Sequence, residues 1–76
     1  MHQDKVINIL RRYLGKNIEI HVQTTAAEIK GWDSITHMKI LIAIEEEFGF
    51  TFSYKETVAL KNVGDLIQLV QSKASA

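Results

Sequence analysis

The chain has 76 residues, in which nine Lys and Arg balance nine Asp and Glu, and it contains no cysteine. A chain of this length makes a single domain, residues 1–76, whose core is too small to enclose a deep catalytic cleft. The balanced charge gives no net field to attract nucleic acid or an anionic membrane, and the lack of cysteine excludes disulfides and thiolate metal sites within the chain.

The first predicted element is an amphipathic helix near the amino terminus. Its apolar residues follow the spacing that places side chains on one helix face, namely Val6, Ile9, Leu10, Tyr13 and Leu14. Asp4 is available to cap the start of this helix, and Gly15 to end it. The segment 15–33 that follows is long for a loop in a compact domain, and such loops tend to be functional or packed by their own side chains.

The longest predicted element is a second helix, which begins at Asp33 or Ser34 and runs to about Phe48, with Gly49 as its left-handed stop. At about 100° per residue its apolar side chains fall on two faces. One face contains Ile40, Leu41, Ile44 and Phe48, and the other contains Ile35, Met38 and Ile42. One face is enough for the core of a small bundle, so the second is either additional core or a docking surface beside Ser34.

The remaining elements are short or near the carboxyl terminus. Residues 54–60 are expected to add one or two helical turns. The stretch Asn62-Val63-Gly64-Asp65 has the spacing of a capping box, with Asp in place of the usual Glu, and it precedes the apolar stripe of a last helix at Leu66, Ile67, Leu69 and Val70. From Ser72 onwards we expect a loose tail.

Two segments are also compatible with strands. Apolar and polar residues alternate in 18–22 and again in 50–54, and this period of two is typical of β-structure. Periodicity therefore favours an all-α fold but leaves a small α+β fold open.

Ser34 is the clearest candidate for a chemically modified residue. A serine at a helix start is most often only an N-cap, which accepts a backbone N–H. A phosphodiester on such a serine would lie at the positive end of the helix dipole, where unpaired N–H groups favour anions. The position is therefore suited to an anionic modification.

Two other kinds of site have to be considered, a hydrolase triad and a metal site. Asp33, Ser34 and His37 have the residue types of a hydrolase triad, but three neighbouring residues do not readily form the required line of hydrogen bonds, and no oxyanion site is recognisable. The three histidines at positions 2, 21 and 37 lack a metal-ligand spacing. We therefore expect no metal, no catalytic residue and no enzymatic activity, and we expect His37 to lie at the edge of the core.

An ordered set of motifs over some forty residues resembles the acyl carrier protein family. The set consists of the turn Gly31-Trp32-Asp33-Ser34, the helix end Glu45-Glu46-Glu47-Phe48-Gly49, Phe52, and the helix start Asn62-Val63-Gly64-Asp65-Leu66. The resemblance implies an all-α fold: a small four-helix bundle of three main helices and one short helix, with a long loop between helices one and two. It also implies that Ser34 is esterified with 4'-phosphopantetheine from coenzyme A by a Mg²⁺-dependent phosphopantetheinyl transferase, and that Asp33 contributes to recognition by that transferase.

The resemblance further implies that the second helix is the recognition helix for acyl-loading, condensing or acyl-transfer enzymes. Its expected contact residues are Ile35, Met38, Lys39, Ile42, Glu45 and Glu46. Carriers of fatty-acid synthesis are typically strongly acidic early in this helix, whereas this chain is neutral and has Lys39 there. Because complementary charge steers encounter between partners, we predict a specialised pathway over housekeeping fatty-acid synthesis. Trp32 is bulky for its position in the turn and is expected either to pack over the loop or to contact a partner.

The leading hypothesis is thus a monomeric, cytoplasmic carrier of acyl or polyketide groups, with no nucleic-acid partner. No stretch approaches the roughly 20 apolar residues of a membrane span, and the first residues lack the pattern of a signal peptide. One alternative is a peptidyl carrier loaded with an amino acid by an adenylating enzyme. The other is an unmodified helical interaction module, in which Ser34 is only a cap.

Overall fold

The computed structural model describes residues 2–74, which form four α-helices and one short 3-10 turn. The helices are α1 (His2–Leu14), α2 (Ser34–Phe48), α3 (Tyr54–Val58) and α4 (Val63–Ala74), and the 3-10 turn is Ala26–Glu28. None of residues 2–74 lies in a strand. The predicted all-α bundle with three main helices, one short helix and a long first loop is confirmed, and the α+β alternative is wrong.

The core is built by the three long helices, with α1 lying against both α2 and α4. Its buried side chains are Val6, Ile9 and Leu10 from α1, Ile40 and Ile44 from α2, and Val63, Leu66, Ile67 and Val70 from α4. On α2 the residues Ile40 and Ile44 are one helical turn apart, so they fall on the same face and both belong to the core. Burial of these apolar side chains is the main favourable contribution to the fold.

The ends of α2 match the sequence prediction. Asp33 is the N-cap, and its side chain accepts the Thr36 N–H at 2.8 Å. At the other end Gly49 has φ 76° and ψ 34°, the left-handed conformation, and its N–H donates to the Glu45 carbonyl at 2.8 Å. This helix therefore begins and ends where its local chemistry requires.

Substitution of Gly49 is expected to measure how much stability a residue with a side chain loses in the left-handed conformation at the end of α2. A Cβ at Gly49 would meet no atom within 4 Å, so Gly49→Ala adds backbone strain without a clash. We expect the variant to lose about 1–2 kcal/mol of unfolding free energy in urea denaturation. Gly49→Asn should lose less, because asparagine tolerates this conformation. Equal losses in the two variants would contradict this explanation.

The long first loop is attached to the start of α4. The first N–H groups of a helix have no partner within the helix, and here Val63 and Gly64 donate to the carbonyls of Thr24 and Val22 at 2.9 and 2.7 Å. A Cβ on Gly64 would lie 3.0 Å from the Val22 oxygen, so a glycine permits this close approach. The loop is thereby fixed in place, with Ile20 packed against the core.

The alternating residues after α2 form an aromatic cluster instead of a strand. Phe50 packs between Phe48 and Phe52, with ring centroids 6.2 and 5.1 Å away, and all three pack against the core. The Phe52 N–H donates to the Glu45 carboxylate at 2.7 Å, where a strand would need a neighbouring backbone. An extended segment that buries alternate side chains gives the same period of two as a strand.

Two predictions about helix ends are wrong. Asp4 is not the cap of α1, because the helix already includes His2 and Asp4 lies in its first turn, where a carboxylate interacts favourably with the helix dipole. The chain is not loose from Ser72, since α4 continues to Ala74 and Lys73 Nζ binds the Glu56 carboxylate at 2.9 Å. The rest of the predicted tail, Ser75 and Ala76, lies outside the described residues.

The predicted capping box of α4 is formed only in part. The Asn62 side chain accepts the Asp65 N–H at 2.8 Å, as expected. The Asp65 carboxylate accepts the N–H of Lys61 at 2.9 Å and not that of Asn62, so the reciprocal bond is displaced by one residue. None of the helices within residues 2–74 is both long enough and apolar enough to cross a membrane.

Candidate functional site

Ser34 is the first residue of α2, and its side chain is exposed. The preceding residue, Asp33, supplies the cap by accepting the Thr36 N–H. The first hydrogen bond of the helix runs from the His37 N–H to the Asp33 carbonyl at 2.8 Å. Capping is therefore done by Asp33, which leaves the Ser34 hydroxyl for another role.

The start of α2 is electrostatically suited to an anion. The first carbonyl acceptor of the helix, that of Asp33, binds the His37 N–H, so the N–H groups of Ser34 and Ile35 have no carbonyl acceptor within the helix and add to the positive end of its dipole. The backbone N–H of Thr36 is the main reason that the pKa of Asp33 is lowered from its ordinary value of 3.8. Asp33 is therefore a carboxylate at neutral pH, next to the exposed hydroxyl.

Trp32 and His37 form a hydrogen-bonded pair beside Ser34. The indole Nε1–H of Trp32 donates to Nδ1 of His37 at 3.0 Å, and the two ring centroids are 6.0 Å apart. Burial lowers the pKa of His37 from its ordinary value of 6.5, which agrees with a neutral, accepting ring. Trp32 is half-buried and packs against the core, and His37 is half-buried beside it, as expected for a residue at the core edge.

Sequence reasoning missed that these two residues interact with each other. Trp32 immediately precedes the N-cap and His37 is the fourth residue of the helix, which is the spacing of a hydrophobic staple. That spacing could have indicated the contact between the two residues from the sequence. The pair differs from an ordinary staple because a hydrogen bond adds to the apolar contact.

A hollow connects this pair with Ser34. The hollow is lined by Ala26, Trp32, Asp33, Ser34, His37 and Leu60. It adjoins a cavity of about 40 Å³, which four of the same residues line together with Lys61, Asn62 and Leu66. The contribution of Leu60 and Leu66 was not predicted, because it depends on how α4 and the connection before it approach α2.

The geometry does not assemble a hydrolase triad. The Asp33 carboxylate is bonded to the Thr36 N–H, and Nδ1 of His37 is bonded to Trp32. Asp33 therefore does not orient the imidazole, which is the role that the acid has in such a triad. Within residues 2–74 no group of three or more His, Asp or Glu side chains is placed to hold a metal ion.

The six predicted contact residues of α2 differ in their surroundings. The apolar ones are exposed, with 69% of Ile35, 63% of Met38 and 48% of Ile42 accessible to solvent. Lys39 and Glu46 are exposed as well. Glu45 is half-buried and accepts the Phe52 N–H, so its carboxylate is partly used inside the domain. The structure thus brings Ile35 and Met38 to the surface beside Ser34, while Glu45 has a structural contact that the sequence did not reveal.

Comparisons with known proteins agree on one family. Residues 4–70 match the family model described as "Phosphopantetheine attachment site". An acyl carrier protein of Rickettsia bellii is 34% identical over 74 residues, which covers 96% of this chain and 86% of that protein. Acyl carrier protein 3 of Ralstonia nicotianae is 30% identical over 70 residues, which covers 91% of this chain and 80% of that protein.

A solved structure is similar as well. The solution structure of a holo acyl carrier protein from Geobacter metallireducens superposes with a TM-score of 0.90 at 33% sequence identity. The match covers 97% of this chain and 86% of that one.

Proposed function

The chain belongs to the acyl carrier protein family, whose members are carriers and not enzymes, and we propose that Ser34 is the residue that bears its 4'-phosphopantetheine arm. This proposal is supported by the exposed hydroxyl at the first position of α2, where Asp33 and not Ser34 caps the helix. Modification at Ser34 would therefore cost the fold neither a cap nor a core contact.

The residues around Ser34 fit the group that the family attaches. The helix start offers the N–H groups of Ser34 and Ile35 to an anionic phosphodiester. The exposed side chain leaves room for a long substituent that extends away from the core. When attached, the arm supplies a thiol that holds an acyl group as a thioester, and this chain has no thiol of its own.

Ile35, Met38 and Ile42 are proposed as the apolar part of the surface on which partner enzymes dock. All three are exposed on the helix that begins at Ser34, so an enzyme that acts at the end of the arm can contact them. Exposed apolar side chains next to a reactive group are typical of such interfaces. Lys39 and Glu46 add charge at the edge of this surface, and Glu45 contributes only through the part of its side chain that remains exposed.

The charge of α2 supports a specialised pathway. Lys39 is the only Lys, Arg, Asp or Glu between positions 34 and 44, so the half of the helix next to Ser34 has no carboxylate. An enzyme whose docking site is basic would meet little complementary charge there. We propose that the partners are acyl-loading, condensing or acyl-transfer enzymes outside housekeeping fatty-acid synthesis, that residues 1–76 act as one monomeric domain, and that they do so in the cytoplasm.

Asp33 is proposed to contribute to recognition by the phosphopantetheinyl transferase, and substitution can separate this role from capping. Asn is as good an N-cap as Asp, so Asp33→Asn keeps an oxygen for the Thr36 N–H while it removes the charge. We expect nearly unchanged thermal unfolding but about a tenfold lower kcat/KM with the transferase. Asp33→Ala should lose both stability and rate. A wild-type rate for Asp33→Asn would limit Asp33 to capping.

The carrier function is tested by loading the protein in one step. Apo protein is incubated with acetyl-coenzyme A, Mg²⁺ and a broad-specificity phosphopantetheinyl transferase, and its intact mass is measured. The expected gain is one acetylated arm, and neutral hydroxylamine should then remove the acetyl group and leave the arm in place. No mass gain with several transferases would favour the unmodified interaction module. Acceptance of an amino acid from a cognate adenylating enzyme would instead identify a peptidyl carrier.

A further inference from the structure

The hydrogen bond between Trp32 and His37 requires a neutral imidazole. The indole Nε1–H is a donor only, so Nδ1 of His37, 3.0 Å away, must accept with its lone pair. A protonated His37 would carry N–H groups on both ring nitrogens and have no acceptor for Trp32. Protonation of His37 and the closed Trp32–His37 pair are therefore mutually exclusive.

This pair lies where the arm begins. Ser34 and His37 are three residues apart on α2, and residues with this spacing are neighbours on the surface of a helix. Both also line the hollow that leads to the cavity of about 40 Å³. Trp32 and His37 line both the hollow and the cavity, so they lie at the border between Ser34 and the cavity.

We propose that His37 is a positioning residue for the arm: an anionic phosphodiester on Ser34 favours the imidazolium form of His37, which donates an N–H to that anion and no longer accepts from the Trp32 indole. This inference rests on the proposed function of Ser34. The proton comes from solvent and forms an N–H bond at Nδ1 of His37, no bond between heavy atoms changes, and the indole N–H exchanges its imidazole acceptor for water.

The charges already present around His37 are the same before and after modification. Asp33, at the start of its own helix, is ionised at neutral pH and favours the imidazolium. Lys61, which lines the cavity from the connection between α3 and α4, opposes it. The 3-10 turn contributes only the apolar Ala26 to these walls, and the chain before α4 adds Leu60. A difference between the apo and modified proteins therefore reports the new charge at Ser34.

The consequence is a carrier whose modification state changes the entrance to its own cavity. In the apo form the neutral pair holds Trp32 against His37 and the core. In the modified form a larger fraction of His37 is protonated, and in that fraction the imidazolium donates to the base of the arm and releases the indole at the border of the cavity. Partner enzymes would then meet different surfaces at Trp32 before and after modification.

The test is a comparison of histidine titrations by NMR in apo and modified protein, with the modification verified by intact mass. At low ionic strength His37 should bind its proton about threefold more tightly in the modified protein, the effect of a unit charge roughly 6 Å away in water. The Trp32 indole N–H signal should move at the same time. His2 and His21 serve as internal references, and their curves should overlay between the two forms.

Trp32→Phe is the matched variant, since it keeps an aromatic side chain and removes the donor. In this variant His37 should bind protons more tightly than in wild type already in the apo form, and the tightening on modification should persist. Overlaid His37 curves in verified apo and modified wild-type protein would overturn the inference and leave the proposed function intact. A His37 shift without a change in the indole signal would overturn the release of Trp32. Failure to gain the arm at all would overturn both the inference and the proposed function.

Discussion

Ser34→Ala is expected to abolish phosphopantetheinylation and to leave the helical fold in place. The variant lacks the only atom of Ser34 that can form the phosphodiester. Its backbone is undisturbed, because Asp33 supplies the cap and alanine is favourable within a helix. We expect no detectable mass gain with coenzyme A, Mg²⁺ and a transferase, and an unfolding free energy within about 0.5 kcal/mol of wild type.

Ser72→Ala is the matched control for this loss. Ser72 is an exposed serine within α4, so its substitution removes a hydroxyl from a helix without touching the candidate site. The control should gain the arm at the wild-type rate. Modification of Ser34→Ala would show that another residue accepts the arm, and a Ser34→Ala protein that no longer folds would show that the serine is structural.

Ile44→Ala is expected to produce the largest loss of stability of any substitution considered for this chain. Ile44 is fully buried, with 0% of its surface exposed, and belongs to the core formed by α1, α2 and α4. Removing its outer carbons costs their transfer free energy and leaves a cavity, about 2–5 kcal/mol in total. A domain of this size has an unfolding free energy of roughly 4–11 kcal/mol, so the variant should be partly unfolded or far less resistant to urea.

Two further variants calibrate this result. Ile44→Val removes one carbon and should cost about 0.5–1.5 kcal/mol. Ile42→Ala, two residues earlier, alters a side chain that is 48% exposed and should change stability much less than Ile44→Ala. Equal losses for Ile42→Ala and Ile44→Ala in urea denaturation would contradict the assignment of one face of α2 to the core and the other to the surface.

The sequence was most informative where local chemistry determines structure. The second helix was predicted to begin at Asp33 or Ser34 and to stop at Gly49, and the structure has Asp33 as its N-cap and Gly49 as its left-handed end, because both act through neighbouring backbone atoms. The separation of its two apolar faces also follows from helical spacing. Ile40 and Ile44 are buried, while Ile35 is exposed, as the spacing allows.

The sequence was less informative where distant segments meet. The long loop is held by N–H groups of Val63 and Gly64, some forty residues away, and no local pattern specifies that contact. In the last turn of α4, Lys73 pairs with Glu56 of α3, a contact between helices that no local pattern specifies. The cap of α1 was misplaced for a different reason: the apolar periodicity begins at Val6, although the helix already includes polar residues from His2 onwards.

The candidate site shows the same division. The Asp-Ser turn was recognisable from consecutive residues, and its placement at a helix start followed. The hydrogen bond between Trp32 and His37 could have been predicted from the staple spacing only if that spacing were applied to polar as well as apolar pairs. The cavity that Leu60 and Leu66 line together with this pair depends on tertiary packing, so it was accessible only from the structure.

The most direct test of Ser34 as the attachment site is to locate the arm on the wild-type chain. Protein treated with coenzyme A, Mg²⁺ and a phosphopantetheinyl transferase is digested, and the modified peptide is fragmented in the mass spectrometer. We expect a single phosphopantetheine, assigned by the fragment ions to Ser34 and not to the nearby Thr36. An arm on any other residue, or no arm after treatment with several transferases, would contradict Ser34 as the attachment site.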